Sequence, residues 1–299
     1  MIASRRSIKG RIFTLLLILQ AALIVTGGAV RLTGSGLGCP TWPECTPGSY
    51  TPVPHQAEGQ LHAWIEFGNR LLTFLLFFTA VAALILTVRL SKNLVNKNQL
   101  RLLALFQVLG IFGQAILGGI TVLTDLNPIP VAGHYLLSIL LISGASSLRF
   151  EIVGYKKHNV TPLLQLLIRV QIFVTFAVLV AGTIVTGSGP HAGDEKAKRF
   201  GFNTQMVSVL HADLVIALIV LVLITYLIAK RESKELLPRL KVFILTIFLQ
   251  ALIGYIQYFT GLPELLVGFH LLGSTLVWIA MWSLFKVLDI KLISGKAAK

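Results

Sequence analysis

Six ionisable side chains fall inside stretches otherwise apolar enough to cross a membrane: Glu66, Arg70, His134, His211, Asp213 and His270. Such groups are costly in hydrocarbon and are therefore candidates for function. His211 and His270 begin alternate apolar stretches at similar depth. Two imidazoles facing each other across a helical bundle are the arrangement that ligates a haem iron axially. Zinc is the weaker reading, because no Cys or carboxylate joins the pair on the same helix faces. His134 stands at a corresponding depth earlier in the chain without an obvious imidazole opposite. Near it, His62, Glu66, Asn69 and Arg70 are spaced i, i+4, i+7, i+8, one stripe along a helix. That stripe reads either as an intrahelical Glu66–Arg70 ion pair or as a reaction site. In the second reading Glu66 handles protons or stabilises developing positive charge, and Arg70 binds an anionic substrate group. Two ligands in one half, beside one ligand and a carboxylate in the other, point to a fixed cofactor next to a site with room for chemistry.

The elements that must position these residues are membrane helices. Of 299 residues, 55% are hydrophobic and only 13% charged, against about 25% charged in ordinary soluble domains, and the mean hydropathy is +0.80. A bilayer core takes about 20 apolar residues per helix. Eight such stretches are present, near 12–31, 64–88, 102–124, 132–148, 166–187, 205–228, 242–259 and 266–286. The first follows Arg5, Arg6, Lys9 and Arg11, as a signal peptide would, but no small-residue cleavage site follows it and it reads as a span. The formal charge of +14 lies in short runs between the spans, which orients helices rather than binding nucleic acid. One side receives Arg5 to Arg11, Arg89 to Arg101, Arg149 to Lys157, Lys230 to Lys241 and the Lys-rich C-terminus. The other receives Arg31, Arg70 and the group Lys196, Lys198 and Arg199, offset in part by Asp194 and Glu195. The expectation is an all-α polytopic protein of the plasma membrane with both termini cytoplasmic. The polar residues then lie within about six residues, roughly 10 Å, of the extracytoplasmic end of their spans.

The chain also resembles itself. Val30-Arg-Leu-Thr-Gly-Ser-Gly36 matches Thr183-Ile-Val-Thr-Gly-Ser-Gly189, and Gln114-Ala-Ile-Leu-Gly118 matches Gln250-Ala-Leu-Ile-Gly254. His134 and His270 each follow their glutamine at the same spacing, and Asn69 aligns best with His211. Two repeated four-helix bundles of the same orientation follow, residues 1–155 and 156–299. Cys39 and Cys45 lie on the long outward loop, where a disulfide persists either as a staple or in a redox role. Trp42, Trp64, Trp278 and Trp282 read as an interfacial aromatic belt. Gly27-Gly28 and Gly118-Gly119 read as close helix packing. His55, His158 and His191 read as solvated loop residues, and Asp213 as a partner of Arg31 or Arg70.

Three segments resemble haem A synthases: Gly27-Gly-Ala-Val-Arg-Leu-Thr-Gly-Ser-Gly-Leu-Gly-Cys-Pro-Thr-Trp-Pro-Glu-Cys45, Ile65-Glu-Phe-Gly-Asn-Arg70 and the paired Gln-Ala-x-x-Gly…His segments. The resemblance covers nearly the whole chain. It implies oxidation of a methyl substituent of haem O, through a hydroxymethyl stage, to the formyl group of haem A, for cytochrome oxidase biogenesis. It also implies a haem b cofactor on His211 and His270, a substrate-haem site at His134, a role for Glu66 as the important carboxylate of the second span, and a disulfide between Cys39 and Cys45. Many members have His where this chain has Asn69. Either His62 then substitutes, or the substrate iron is held on one side only. Haem O and haem A are the implied small-molecule partners, with a haem O synthase as a reasonable donor and an electron acceptor that the sequence does not identify. Two readings from other classes compete: a di-haem b-type cytochrome moving electrons between quinol and a partner, and a haem or small-molecule transporter. The first predicts no covalent change to any haem and gives Glu66 no necessary role; the second needs a through-path that the near-surface polar sites hardly offer.

Overall fold

A computed structural model describes residues 2–56, 59–93, 96–195 and 197–288. Lys196 and the Lys-rich C-terminus, both used above for orientation, lie outside the described residues, as do the side chains of Arg5, Arg6 and Lys9. The chain forms eight long helices: α1 (Ile2–Leu32), α2 (Gln60–Leu90), α3 (Lys97–Leu123), α4 (Pro128–Val153), α5 (Pro162–Ser188), α6 (Thr204–Glu232), α7 (Leu237–Phe259) and α8 (Glu264–Lys286). No strand occurs among the described residues. Each helix is long and apolar enough to cross a membrane, and a spanning segment must satisfy its backbone internally, which a helix does. Several overrun the expected spans; α4, expected at 132–148, starts at Pro128 and ends at Val153. Its start is set by Asn127, whose side chain accepts from Ile129 N, with Pro128 in the first turn. Thr161 and Asn203 cap the starts of α5 and α6 in the same manner. Phe74, Phe78, Phe173 and Phe259 stand exposed on the helix flanks, as a lipid-facing surface requires.

Helices α1–α4 pack among themselves, as do α5–α8, and α1, α4, α5 and α8 meet across the seam. The seam is polar at intervals. Trp278 Nε1 donates to Ser143 Oγ at 2.8 Å, Trp282 Nε1 to Ser147 Oγ at 2.9 Å, and Lys286 Nζ pairs with Glu151 Oε1 at 2.9 Å. All three contacts span 135 residues, so α4 and α8 run parallel and in register. Trp278 and Trp282 are therefore not belt residues: Trp278 is buried and both indoles bond across the seam. Their i, i+4 spacing sets them on one face, but sequence does not say whether an apolar face meets lipid or protein. Trp42 and Trp64 are exposed. Equivalent turns close α3 and α7: Leu126 N donates to Thr121 O at 2.9 Å and Leu262 N to Gln257 O at 2.7 Å. Both leucines have a positive φ, 56° and 60°, with the preceding Asp125 or Gly261 also left-handed, a helix-ending turn.

Candidate functional site

In the second half, α6 and α8 bring His211 and His270 together, with ring centroids 6.5 Å apart and planes at 72°. Two imidazoles sharing one metal through nitrogens about 2.0 Å from it would place their ring centres roughly 6.3 Å apart. The observed spacing is one at which two imidazoles could share a single metal ion. Each ring backs onto a glycine of the neighbouring helix. A Cβ at Gly182 would lie 3.4 Å from His211 Cε1, and one at Gly254 would lie 3.1 Å from His270 Cε1. The backbone of Val178, one turn before Gly182, lies beside the His211 ring, and that of Gln250, one turn before Gly254, lies beside His270. Both Nδ1 atoms are buried yet complete no hydrogen bond. A ligand histidine normally turns its second nitrogen to a backbone carbonyl, and these backbones are placed to receive it. Gln250 Nε2 donates to His270 O at 2.7 Å, holding that turn of α8 to α7.

The first half repeats half of this. Gln114 Nε2 donates to His134 O at 3.1 Å, and Gly118 gives His134 Cε1 its room, 3.7 Å from a would-be Cβ. On α2, Asn69 stands against α1 as His211 stands against α5, but its Oδ1 accepts from Thr26 Oγ1 at 2.7 Å. His62 is bound through Nδ1 to Ser35 Oγ at 2.9 Å. No bond brings Asn69 or His62 to His134 among the described residues.

Glu66 is buried, 5% exposed. Its Oε2 accepts from Cys39 N at 2.7 Å, and its Oε1 accepts from Arg70 Nη2 at 2.7 Å and Nε at 3.2 Å. Arg70 also donates to the carbonyls of Cys39, Thr41, Pro43 and Glu44. The ion-pair reading of the stripe is present, and the guanidinium that was read as a substrate anchor is occupied in folding the Cys39–Cys45 loop onto α2. Those cysteines form a disulfide, and both are fully buried. Gly38 makes the descent possible, since a Cβ there would strike the His62 carbonyl, and Gln56 Nε2 donates to Gly38 O. The loop then lays Trp42 on α3, where a Cβ at Gly119 would come 2.5 Å from the indole. Gly118 and Gly119 thus serve His134 and Trp42 rather than helix packing. One loop connects the buried carboxylate to the neighbourhood of His134.

A Gly119→Ala substitution should push the Trp42 ring off α3, disturbing the first half while leaving the His211–His270 spacing intact. A changed Trp environment by fluorescence with unchanged helical content is the expected result.

Other expectations resolve differently. Asp213 is exposed and pairs with neither Arg31 nor Arg70 among the described residues. His191 is not solvated, as its Nε2 lies 2.7 Å from Leu262 O. Thr26, Gly38 and Gly182 escaped the sequence reading; Ser35 was visible only as part of the repeated Thr-Gly-Ser-Gly segment, and Gly119 only as half of a glycine pair. No cluster of three or more His, Cys, Asp or Glu side chains is placed to hold a metal ion among the described residues.

Comparison with known proteins agrees with this architecture. The family described as "Cytochrome oxidase assembly protein", COX15-CtaA, matches residues 10–193. A heme A synthase of Lysinibacillus sphaericus is 29% identical over 137 residues, 46% of this chain and 42% of that protein. A heme A synthase of Geobacillus thermodenitrificans is 27% identical over 112 residues, 38% and 32% of the two chains. One of Geobacillus kaustophilus is 33% identical over 105 residues, 35% and 30% of the two chains. The chain thus spans less than half the length of these curated relatives. The family match covers more than half of the chain, through α1–α5 and the disulfide loop, and the protein belongs to the COX15-CtaA family of cytochrome oxidase assembly proteins.

Proposed function

We propose that this protein is an oxidoreductase that converts haem O to haem A in the plasma membrane, oxidising one methyl substituent through a hydroxymethyl stage to a formyl group. The observation that carries the reading is the asymmetry of two otherwise similar halves. The second half, 156–299, presents the His211–His270 pair at a spacing suited to one iron. The first half, 1–155, presents His134 with Asn69 opposite in the pattern, and a buried carboxylate held by the disulfide loop.

His211 and His270 would hold haem b, which supplies one-electron chemistry when bound. Gly182 and Gly254 give the rings room, and the Val178 and Gln250 backbones orient them. In the first half His134 would hold the substrate haem. Glu66 would hold or accept a proton at its carboxylate, whose rotamer Arg70 and Cys39 N fix. The disulfide loop, with Cys39 and Cys45 buried, would cover Glu66 on that side. Both sites sit at the disulfide-loop end of the bundle, the extracytoplasmic end by the positive-inside bias. A haem O synthase is a suitable donor of an insoluble substrate, and the electrons pass to an acceptor outside the chain.

The Thr26 bond on Asn69 and the Ser35 bond on His62 favour one-sided ligation of the substrate iron. Asn69→His should therefore add a ligand, turning a high-spin ferric signal from the first half into a low-spin one in electron paramagnetic resonance. A low-spin signal there in the unaltered protein would contradict one-sided ligation. The test of the function itself is product analysis with haem O supplied: haem A or its hydroxymethyl precursor is expected, whereas haem b alone would indicate an electron-transfer cytochrome.

A further inference from the structure

We propose that Arg31 and Arg199 form an oxyanion site at the seam of the two halves, occupied by a propionate carboxylate of the haem between His211 and His270. The inference rests on the haem-binding reading above and adds a ligand contact to it.

Arg31 ends α1 inside an apolar span. Its Nη2 donates to His191 O at 2.6 Å, and its Nε is buried with no acceptor. Neither the Glu66–Arg70 pair nor the Glu151–Lys286 pair reaches Arg31. A second cation, Arg199, is held on the carbonyl next to the one that Arg31 uses. Arg199 Nη2 donates to Pro190 O at 2.5 Å and Nη1 to Ala197 O at 3.4 Å. Two guanidiniums are thus anchored on consecutive carbonyls, 190 and 191. A buried cation beside a like charge is costly without an anion, and a fork of N–H donors is the usual holder of a carboxylate or phosphate.

The site lies beside the haem-ligand helix. Leu32 Cδ1 is 3.5 Å from a would-be Cβ of Gly268, and Gly28 abuts Leu271, so the end of α1 flanks α8 around His270. The 190–193 strap that carries the anchoring carbonyls is fixed to the start of α8 by the His191–Leu262 contact and to the Cys loop by Gly36 N donating to Gly193 O at 3.0 Å. A porphyrin on His270 would carry its carboxylates toward this seam. The same chemistry would take a lipid phosphate, but Arg31 Nε is buried rather than exposed to lipid.

The test uses holoprotein purified with haem b and the variants Arg31→Met, Arg31→Lys and Arg199→Met. Three quantities are compared: the haem b midpoint potential, the propionate bending band in resonance Raman, and bound phospholipid phosphorus. Loss of a cation near the haem favours the ferric form. Arg31→Met should thus lower the potential and shift the propionate band, Arg199→Met should do both to a smaller extent, and Arg31→Lys should restore most of the potential. Should Arg31→Met not accumulate, Arg199→Met on the strap carries the same test. Unchanged potential and band in a variant that retains haem b would overturn the proposal. So would loss of bound phosphorus with an unchanged haem signature, which would assign the site to a lipid phosphate. Absence of haem b from the unaltered protein would sink the haem reading itself, a failure that His211 and His270 variants report separately.

Discussion

Glu66→Gln is expected to lower haem O oxidation by at least ~100-fold, the scale of a lost general acid–base group, while haem b content stays at the level of the unaltered protein. The amide oxygen can still accept from Cys39 N, and Arg70 keeps its bonds to the carbonyls of Cys39, Thr41, Pro43 and Glu44, so the loop is retained while the ion pair and the proton-holding group are lost. Glu66→Ala is the harsher form. It leaves Arg70 without its buried partner, and breaking such a pair costs about 3–5 kcal/mol, so lost activity there mixes chemistry with loop unfolding. The two variants together separate the roles: inactive Glu66→Gln with haem b and the disulfide intact assigns Glu66 to chemistry. Turnover of Glu66→Gln at the unaltered rate would remove that role and leave the Glu66–Arg70 pair as a fastener for the Cys39–Cys45 loop.

His211→Ala and His270→Ala should each weaken haem b retention by far more than the ~10-fold typical of losing an outer-shell partner, since each removes one of two protein ligands. Neither imidazole nitrogen Nδ1 completes a hydrogen bond in the packed helices, so the variants should still insert and fold. Added imidazole should restore part of the haem b spectrum by filling the space over Gly182 or Gly254. His134→Ala should spare haem b and impair substrate binding instead. Haem b retained at full occupancy in both His211→Ala and His270→Ala would contradict the assignment of the pair.

The eight helices were legible because a bilayer leaves hydropathy as the main local signal, but their starts at Asn127 and Thr161 went unread and the expected spans began several residues late. The ionisable residues in the spans were legible for the same reason: a polar side chain in an apolar run needs a cause. What sequence left open is which apolar face meets protein. Trp278 and Trp282 were read as interfacial, and only the register of α4 against α8 shows their indoles reaching Ser143 and Ser147. The Cys39–Cys45 loop was expected to be an exposed staple. Its burial depends on contacts between residues far apart in sequence, chiefly Cys39 with Glu66 and Trp42 with Gly119. Asn69 was visible as a departure from the repeat, but its bond to Thr26, which occupies the carbonyl that could otherwise face an iron, was not.

The central claim is that one half holds haem as a cofactor while the other alters haem as a substrate. The most direct measurement is haem extraction, chromatography and mass identification on protein purified from a host without this activity but supplied with haem O. Haem b together with haem A or its hydroxymethyl precursor is the predicted result. Haem b accompanied only by unaltered haem O, or no haem at all, would contradict it.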